Sequence, residues 1–125
     1  MGIFNTLMGN ASSTDTNNLD SRVKEFLLED ESVAYVFSYV RDMILFTNYR
    51  IIFVDKQGVT GKKIEFRSIP YKSINRFSIE TSGHFDDDSE LKLWLSGNSE
   101  PIIIEFSKDK NIYEVEKIIA KSICS

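Results

Sequence analysis

From residue 33 onward the chain reads in steps of two. VAYVFSYV (33–40), MILFT (43–47) and YRIIFVD (49–55) are short runs of β-branched and aromatic residues, broken by Arg41-Asp42 and Asn48. KKIEFRSI (62–69), YKSINRFSIET (71–81), ELKLWLS (90–96) and IIIEFS (102–107) continue the pattern, and KQGVTG, SGHFDDDS and GNSEP separate them. Side chains alternate faces along a strand, so such runs with polar punctuation predict a meander of about seven short antiparallel strands. Pro70 has no N–H for a ladder and marks a bend or an edge.

The period changes at both ends of this region. Leu19, Val23, Phe26 and Leu27 recur at helical spacing, which predicts a helix over 19–29 packed on the sheet. Ile112, Val115, Ile119 and Ile123 form a second stripe with Ile118 beside it. Asp109 or Asn111 can cap that helix, Asn111 and Glu114 having capping-box spacing. A helix this short holds only by packing on the sheet. Before residue 19, Ile3, Phe4, Leu7 and Met8 make one apolar turn, and residues 9–18, GNASSTDTNN, read as a polar linker. The division is therefore 1–18, an apolar turn and linker, and 19–125, one mainly β (α+β) domain.

Charge narrows the classes of function. The net charge of −4 argues against a general nucleic-acid binder, which needs a basic footprint. One cysteine, Cys124, makes no internal disulfide and fits a reducing, cytoplasmic setting. No run approaches the roughly 20 apolar residues of a membrane-spanning helix. The myristoylation-like Gly2 to Thr6 and the sequon Asn10-Ala11-Ser12 are short, common patterns and read as chance matches.

The most basic stretch is GKKIEFRSIPYKSINRFSIE, Gly61 to Glu80. Along it Ile64 and Phe66 share one face, with Lys63, Glu65 and Arg67 on the other; Phe77 and Ile79 oppose Arg76, Ser78 and Glu80. This is the polar side of half-buried strands, with Arg41, Lys62, Lys63, Arg67 and Lys72 as weak candidates for an anion or lipid contact. His84 is the sole histidine and sits in an Asp-rich turn, far in sequence from Cys124, so no nucleophile–base–orienter set emerges. One Cys and one His do not make a usual zinc site. Asp86, Asp87, Asp88 and Glu90 lack the spacing of an EF-hand and read as a solvated loop. Gly58-Val59-Thr60-Gly61-Lys62-Lys63 has glycines too close for a phosphate loop. The chain is expected to be no enzyme and to need no cofactor or metal.

One residue breaks the pattern of a sheet with a wet face. Leu91, Leu93 and Leu95 share a side, so Trp94 points the other way with Lys92; Ile102, Ile104 and Phe106 leave Ile103 pointing away with Glu105. Pairing Leu95 with Ile102 across the turn would set Trp94 opposite Ile103. Strand 43–47 is also apolar on both sides, Ile44 and Phe46 alternating with Met43 and Leu45. A second apolar face needs cover, from the helices or from another subunit. Trp94, Ile103, Ile44 and Phe46 are the candidate contact residues.

The stretches MGIFNTLMGNAS, VRDMILFTNYRIIFVDKQGVTGKK, RSIPYKSINRFSIETSGHFDDDSELKLW and EFSKDKNIYEVEKIIA resemble the bacterial pleckstrin-homology (PH) domain family, small bacterial proteins of unassigned function. The resemblance implies a strongly bent seven-stranded antiparallel sheet, partly closed like a barrel, with a C-terminal capping helix. It also implies a scaffold or binding module in ring-shaped homo-oligomers, pentamers in particular, with room for a protein partner at a sheet edge. Phosphoinositide-binding relatives in eukaryotes cluster Lys and Arg around the first hairpin. Here that turn, Tyr39 to Asp42, offers only Arg41, so phosphoinositide binding is not expected. A peripheral binder of anionic membranes is the alternative reading.

Overall fold

Two antiparallel sheets share one apolar interior in the computed structural model, which describes residues 12–14, 21–38, 42–57, 63–81, 89–106 and 112–124. The elements in order are β1 (Ser12–Thr14), α1 (Ser21–Lys24), β2 (Val33–Ser38), β3 (Met43–Thr47), β4 (Arg50–Gln57), β5 (Lys63–Pro70), a 3-10 turn (Tyr71–Ser73), β6 (Ile74–Thr81), β7 (Ser89–Leu95), β8 (Ile102–Phe106) and α2 (Ile112–Cys124). Strands β1 to β5 form one sheet and β6 to β8 the other, each in chain order. The seven expected strands are β2 to β8.

Three local expectations need correction. Part of the expected linker is a strand: β1 pairs with β2 through Ser12↔Ser38, Ser13↔Phe37 and Thr14↔Val36. The strand expected over 71–81 begins only at Ile74, because Pro70 (φ −61°, ψ 141°) turns the chain into the 3-10 turn. The helix expected over 19–29 is a single turn, Ser21–Lys24, followed by a strap of turns. Its arrest has a nonlocal cause. Arg50 donates through Nη2 to the Phe26 carbonyl at 2.9 Å, and Glu31 Oε1 accepts from the Leu28 N–H at 3.1 Å. A continuing helix would need both of those backbone groups. The apolar turn at Ile3 to Met8, the Leu19 position and the caps Asp109 and Asn111 lie outside the described residues.

Between the sheets lies the main core. Phe37, Ile44, Phe46, Ile51, Phe53 and Ile69 come from the first sheet, and Ile74, Leu91, Leu93, Ile102, Ile104 and Phe106 from the second. Phe37 joins the sheets edge-on, its ring centroid 4.7 Å from that of Phe106 and 5.8 Å from that of Phe46. Helix α2 adds Ile112, Val115 and Ile119, with Ile118 and Ile123 partly buried, as its stripe predicted. A smaller core covers the other face of the first sheet, where Val36, Leu45, Ile52 and Val54 meet Val23, with Leu27 packed alongside. The doubly apolar strands of the first sheet are thus satisfied within one chain. No helix among the described residues is long and apolar enough to cross a membrane.

Phe37 is fully buried and bridges both sheets. Phe37→Ala is expected to cost about 3–5 kcal/mol of unfolding free energy, read from the urea midpoint at unchanged slope.

Candidate functional site

The outer face of the second sheet carries the residues that sequence alternation singled out. Strand β7 pairs with β8 through Leu91↔Ile104, Lys92↔Ile103 and Leu93↔Ile102. The expected Leu95–Ile102 pairing is therefore two positions off, and Lys92, not Trp94, stands opposite Ile103. The turn beyond Leu95 sets this register: the Asn98 N–H donates to the Leu95 carbonyl, and Gly97 takes φ +86°, a left-handed conformation that glycine enters without strain. Trp94 faces Arg76 across the β6–β7 ladder, whose guanidinium lies 4.3 Å from the ring centroid. Such a pair is worth about 0.5–1 kcal/mol where water reaches it. Lys92 lies between Glu90, at 3.7 Å, and Glu80, at 4.0 Å. Trp94 and Ile103 are each half-buried and remain on this face.

Ile44 and Phe46, expected beside them, are placed elsewhere. They are 1% and 0% exposed and point into the main core, so their side chains offer no surface to a second copy.

Nor do the described basic candidates converge. Lys63 starts β5 and is exposed; Lys72 is exposed in the 3-10 turn beyond its far end. The eight residues of β5 place them more than about 20 Å apart. Arg67 forms an ion pair with Glu65 at 3.6 Å. Arg41, Lys62, His84, Asp86, Asp87 and Asp88 lie outside the described residues. Cys124 is exposed at the end of α2. Among the described residues no three His, Cys, Asp or Glu side chains are grouped to hold a metal ion.

A cleft of about 410 Å³ opens between α2 and the β3–β4 turn. Most of its polar lining is already engaged. Asn48 Oδ1 accepts from the Ser32 N–H at 2.9 Å, and its Nδ2 donates to the Asp30 carbonyl at 3.1 Å. Ser122 Oγ donates to the Ile118 carbonyl at 2.9 Å. Among the described residues of its wall, Lys121 is the one charged group. The cleft is built from groups that hold the strap and the helix, not from groups aimed at a ligand.

The polar cluster that sequence reasoning missed is the clamp under the strap. The Glu31 side chain has no solvent exposure and accepts four hydrogen bonds. Arg50 donates through Nη2 to Oε1 at 2.8 Å and through Nε to Oε2 at 2.9 Å. Thr47 Oγ1 donates to Oε2 at 2.7 Å, and the Leu28 N–H fills the last position. Arg50 Nη1 also donates to Ser68 Oγ at 2.9 Å, reaching β5. Beside the clamp, Tyr49 donates its hydroxyl to the Asp30 carboxylate, which raises the Tyr49 hydroxyl above its ordinary value. Buried Tyr71 donates to the Thr47 carbonyl at 2.7 Å, and burial with the nearby Glu31 charge holds its hydroxyl well above the phenol range. The signal for the clamp was Arg50, a charge heading a strand face otherwise made of Ile52 and Val54.

The Arg50 bonds hold the Glu31 carboxyl down at about 2, against an ordinary 4.5, despite the opposing effect of burial. A depressed carboxylate stabilises the fold fully above its unfolded value and loses that contribution as pH falls through the folded one. Stability should therefore decline between pH 4.5 and about 2, and Glu31→Gln should flatten that part of a melting-temperature profile. Removing Arg50 is expected to be worse than removing Glu31, because it strands a carboxylate with no route to water. Arg50→Ala should cost about 3–5 kcal/mol in denaturant titration, whereas in Glu31→Gln the arginine, 21% exposed, can turn outward.

Against known proteins, the family model for the bacterial PH domain matches residues 2–123. The chain is 52% identical over 125 residues to the uncharacterized protein YjqA of Bacillus subtilis (strain 168), covering 99% of each chain. It is 36% identical to the uncharacterized protein YozO of the same organism, each covered in full. Among solved structures it is similar to a DUF1696 family protein with a pleckstrin-homology domain from Shewanella loihica PV-4. That likeness has a TM-score of 0.79 and 42% identity, over 91% of this chain and 97% of that one. A pleckstrin homology domain from Shewanella amazonensis SB2B follows at TM-score 0.66 and 45% identity, over 93% and 94%.

Proposed function

The chain belongs to the bacterial PH domain family, and from that premise we propose that it is a non-enzymatic scaffold module whose first partner is its own copy, assembling into a closed ring. The observation that carries this reading is the contrast between the two sheets. The first sheet has its second apolar face covered by the strap, whereas the second sheet keeps Trp94 and Ile103 half-exposed on its outer side. Tryptophan beside arginine is a combination that anchors protein contacts. Among the described strands β8 ends its sheet, and Ile103 stands on it, one strand from Trp94 on β7. A contact of this kind joins one surface to a different surface of the next copy, and such contacts end in a ring when the rotation closes.

The absolute mass in solution, from light scattering across a concentration series, tests the reading. A stable multiple near five chain masses is the expected result, and a monomer at every concentration overturns it. Trp94→Lys and Ile103→Asp are each expected to reduce the assembly to smaller species with the far-ultraviolet spectrum unchanged. An unchanged mass in both variants would remove this face from the seam.

A further inference from the structure

A head-to-tail contact needs two different surfaces, and a second exposed apolar patch lies on the strap. Among the described residues four large apolar side chains are exposed: Phe26 (45%), Leu28 (56%), Tyr49 (43%) and Tyr113 (57%). Tyr113 stands on α2, and the clamp gathers the other three. Arg50 donates to the Phe26 carbonyl, Glu31 accepts from the Leu28 N–H, and the Tyr49 hydroxyl donates to Asp30. Their chain neighbours Glu25, Glu29 and Asp30 are exposed carboxylates. Arg22 and Lys24 precede the patch in α1, but residues 25–32 carry no basic side chain, and Arg50 is taken up by Glu31. The strap thus presents apolar groups with a negative rim.

The outer face of the second sheet has the opposite sign at one end. Its ladder rows run Arg76–Trp94, then Ser78–Lys92–Ile103, then Glu80–Glu90–Glu105. The acidic row is gathered at the far end, four residues along β6 from Arg76, which is about 13 Å. Exposed Lys72 joins the Trp94 end, because the Ser73 carbonyl accepts from the Ser96 N–H at 2.9 Å and holds the 3-10 turn against the end of β7. Against Glu100 of the β7–β8 turn, Lys72 and Arg76 leave this end positive.

We infer that the strap patch of one copy receives the Trp94 end of the next copy's second sheet, an inference that rests on the assembly proposed above. Each surface offers apolar side chains beside charges opposite in sign to those of the other, the arrangement that steers two surfaces together and fixes their register. The patches lie on the outer sides of different sheets, so a second copy brings them together. The chain itself supplies the matching surface. An anionic membrane does not suit the strap, since the three carboxylates repel it.

Light scattering on the whole protein tests the pairing with three charge variants: Glu25→Lys with Glu29→Lys, Lys72→Glu with Arg76→Glu, and all four changes together. All four side chains are exposed, and the far-ultraviolet spectrum checks that folding is kept. Each two-site variant is expected to raise the concentration of half-assembly about tenfold or more, and the four-site variant to bring it back towards the wild-type value. Leu28→Asp serves where a charge variant does not fold, and should reduce the assembly as Trp94→Lys does. A wild-type monomer, or full mass in Trp94→Lys, removes the seam itself and this contact with it. If the seam stands while the strap variants keep full mass, or while the four-site variant regains nothing, the strap is overturned as the partner surface and the second sheet meets a different one.

Discussion

The bidentate contact between Glu31 and Arg50 decides how the first sheet meets the rest of the chain. That sheet is apolar on both faces, and Val36, Leu45, Ile52 and Val54 would face water without cover. Full burial of each such side chain is worth about 1.5–3 kcal/mol, so leaving them open would consume much of a small domain's stability. The cover is a strap with one turn of helix, far below the length at which a helix supports itself. Its placement therefore rests on polar contacts that reach it from β3, β4 and the β3–β4 turn. A buried ion pair adds little net stability over an apolar substitute, but it is intolerant of misplacement. Its effect here is to fix where the strap lies, so that Val23 meets the sheet and the Phe26 ring packs at a tilt against Phe66, centroids 4.1 Å apart.

The same contact explains why the two sheets differ outside. Strap and clamp bury the outer side of the first sheet, and α2 docks its Ile112, Val115 and Ile119 stripe against the core. Among the described residues no element is left to cover the outer side of the second sheet. There charge does part of the work, through Lys92 between Glu80 and Glu90 and through Arg76 over Trp94. Trp94 and Ile103 are the two large apolar groups this arrangement leaves half-open.

How much of this was legible depended on whether the cause was local. Alternation placed β2 to β8, and helical spacing placed α2, because each rests on neighbours within a few residues. Where both faces of a strand are apolar, alternation cannot say which one meets the main core, so Ile44 and Phe46 were assigned to a surface they do not reach. The β7–β8 register is set by backbone geometry at Gly97 and Asn98, and an estimate from hydrophobic pattern alone slid by two residues while keeping every side chain on its correct face. The strap was the hardest to see. Its four apolar residues fit a helix, and the group that stops the helix, Arg50, lies 24 residues along the chain from Phe26. The candidate surface was legible at Trp94 for a simple reason: a large aromatic side chain out of phase with its strand is visible without knowing the register.

The second sheet turns its two faces to different surroundings. Trp94 and Ile103 lie on its outer side, whereas Leu91, Leu93, Ile102 and Ile104 lie on its inner side, in the main core. Behind Lys92 and Trp94 stand the core residues Leu91 and Leu93, which alternate with them along β7 and point to the interior. Those residues are fully buried and close-packed, and a packed layer resists graded deformation. The fold thus lets the outer face of the second sheet vary while the core behind it stays fixed.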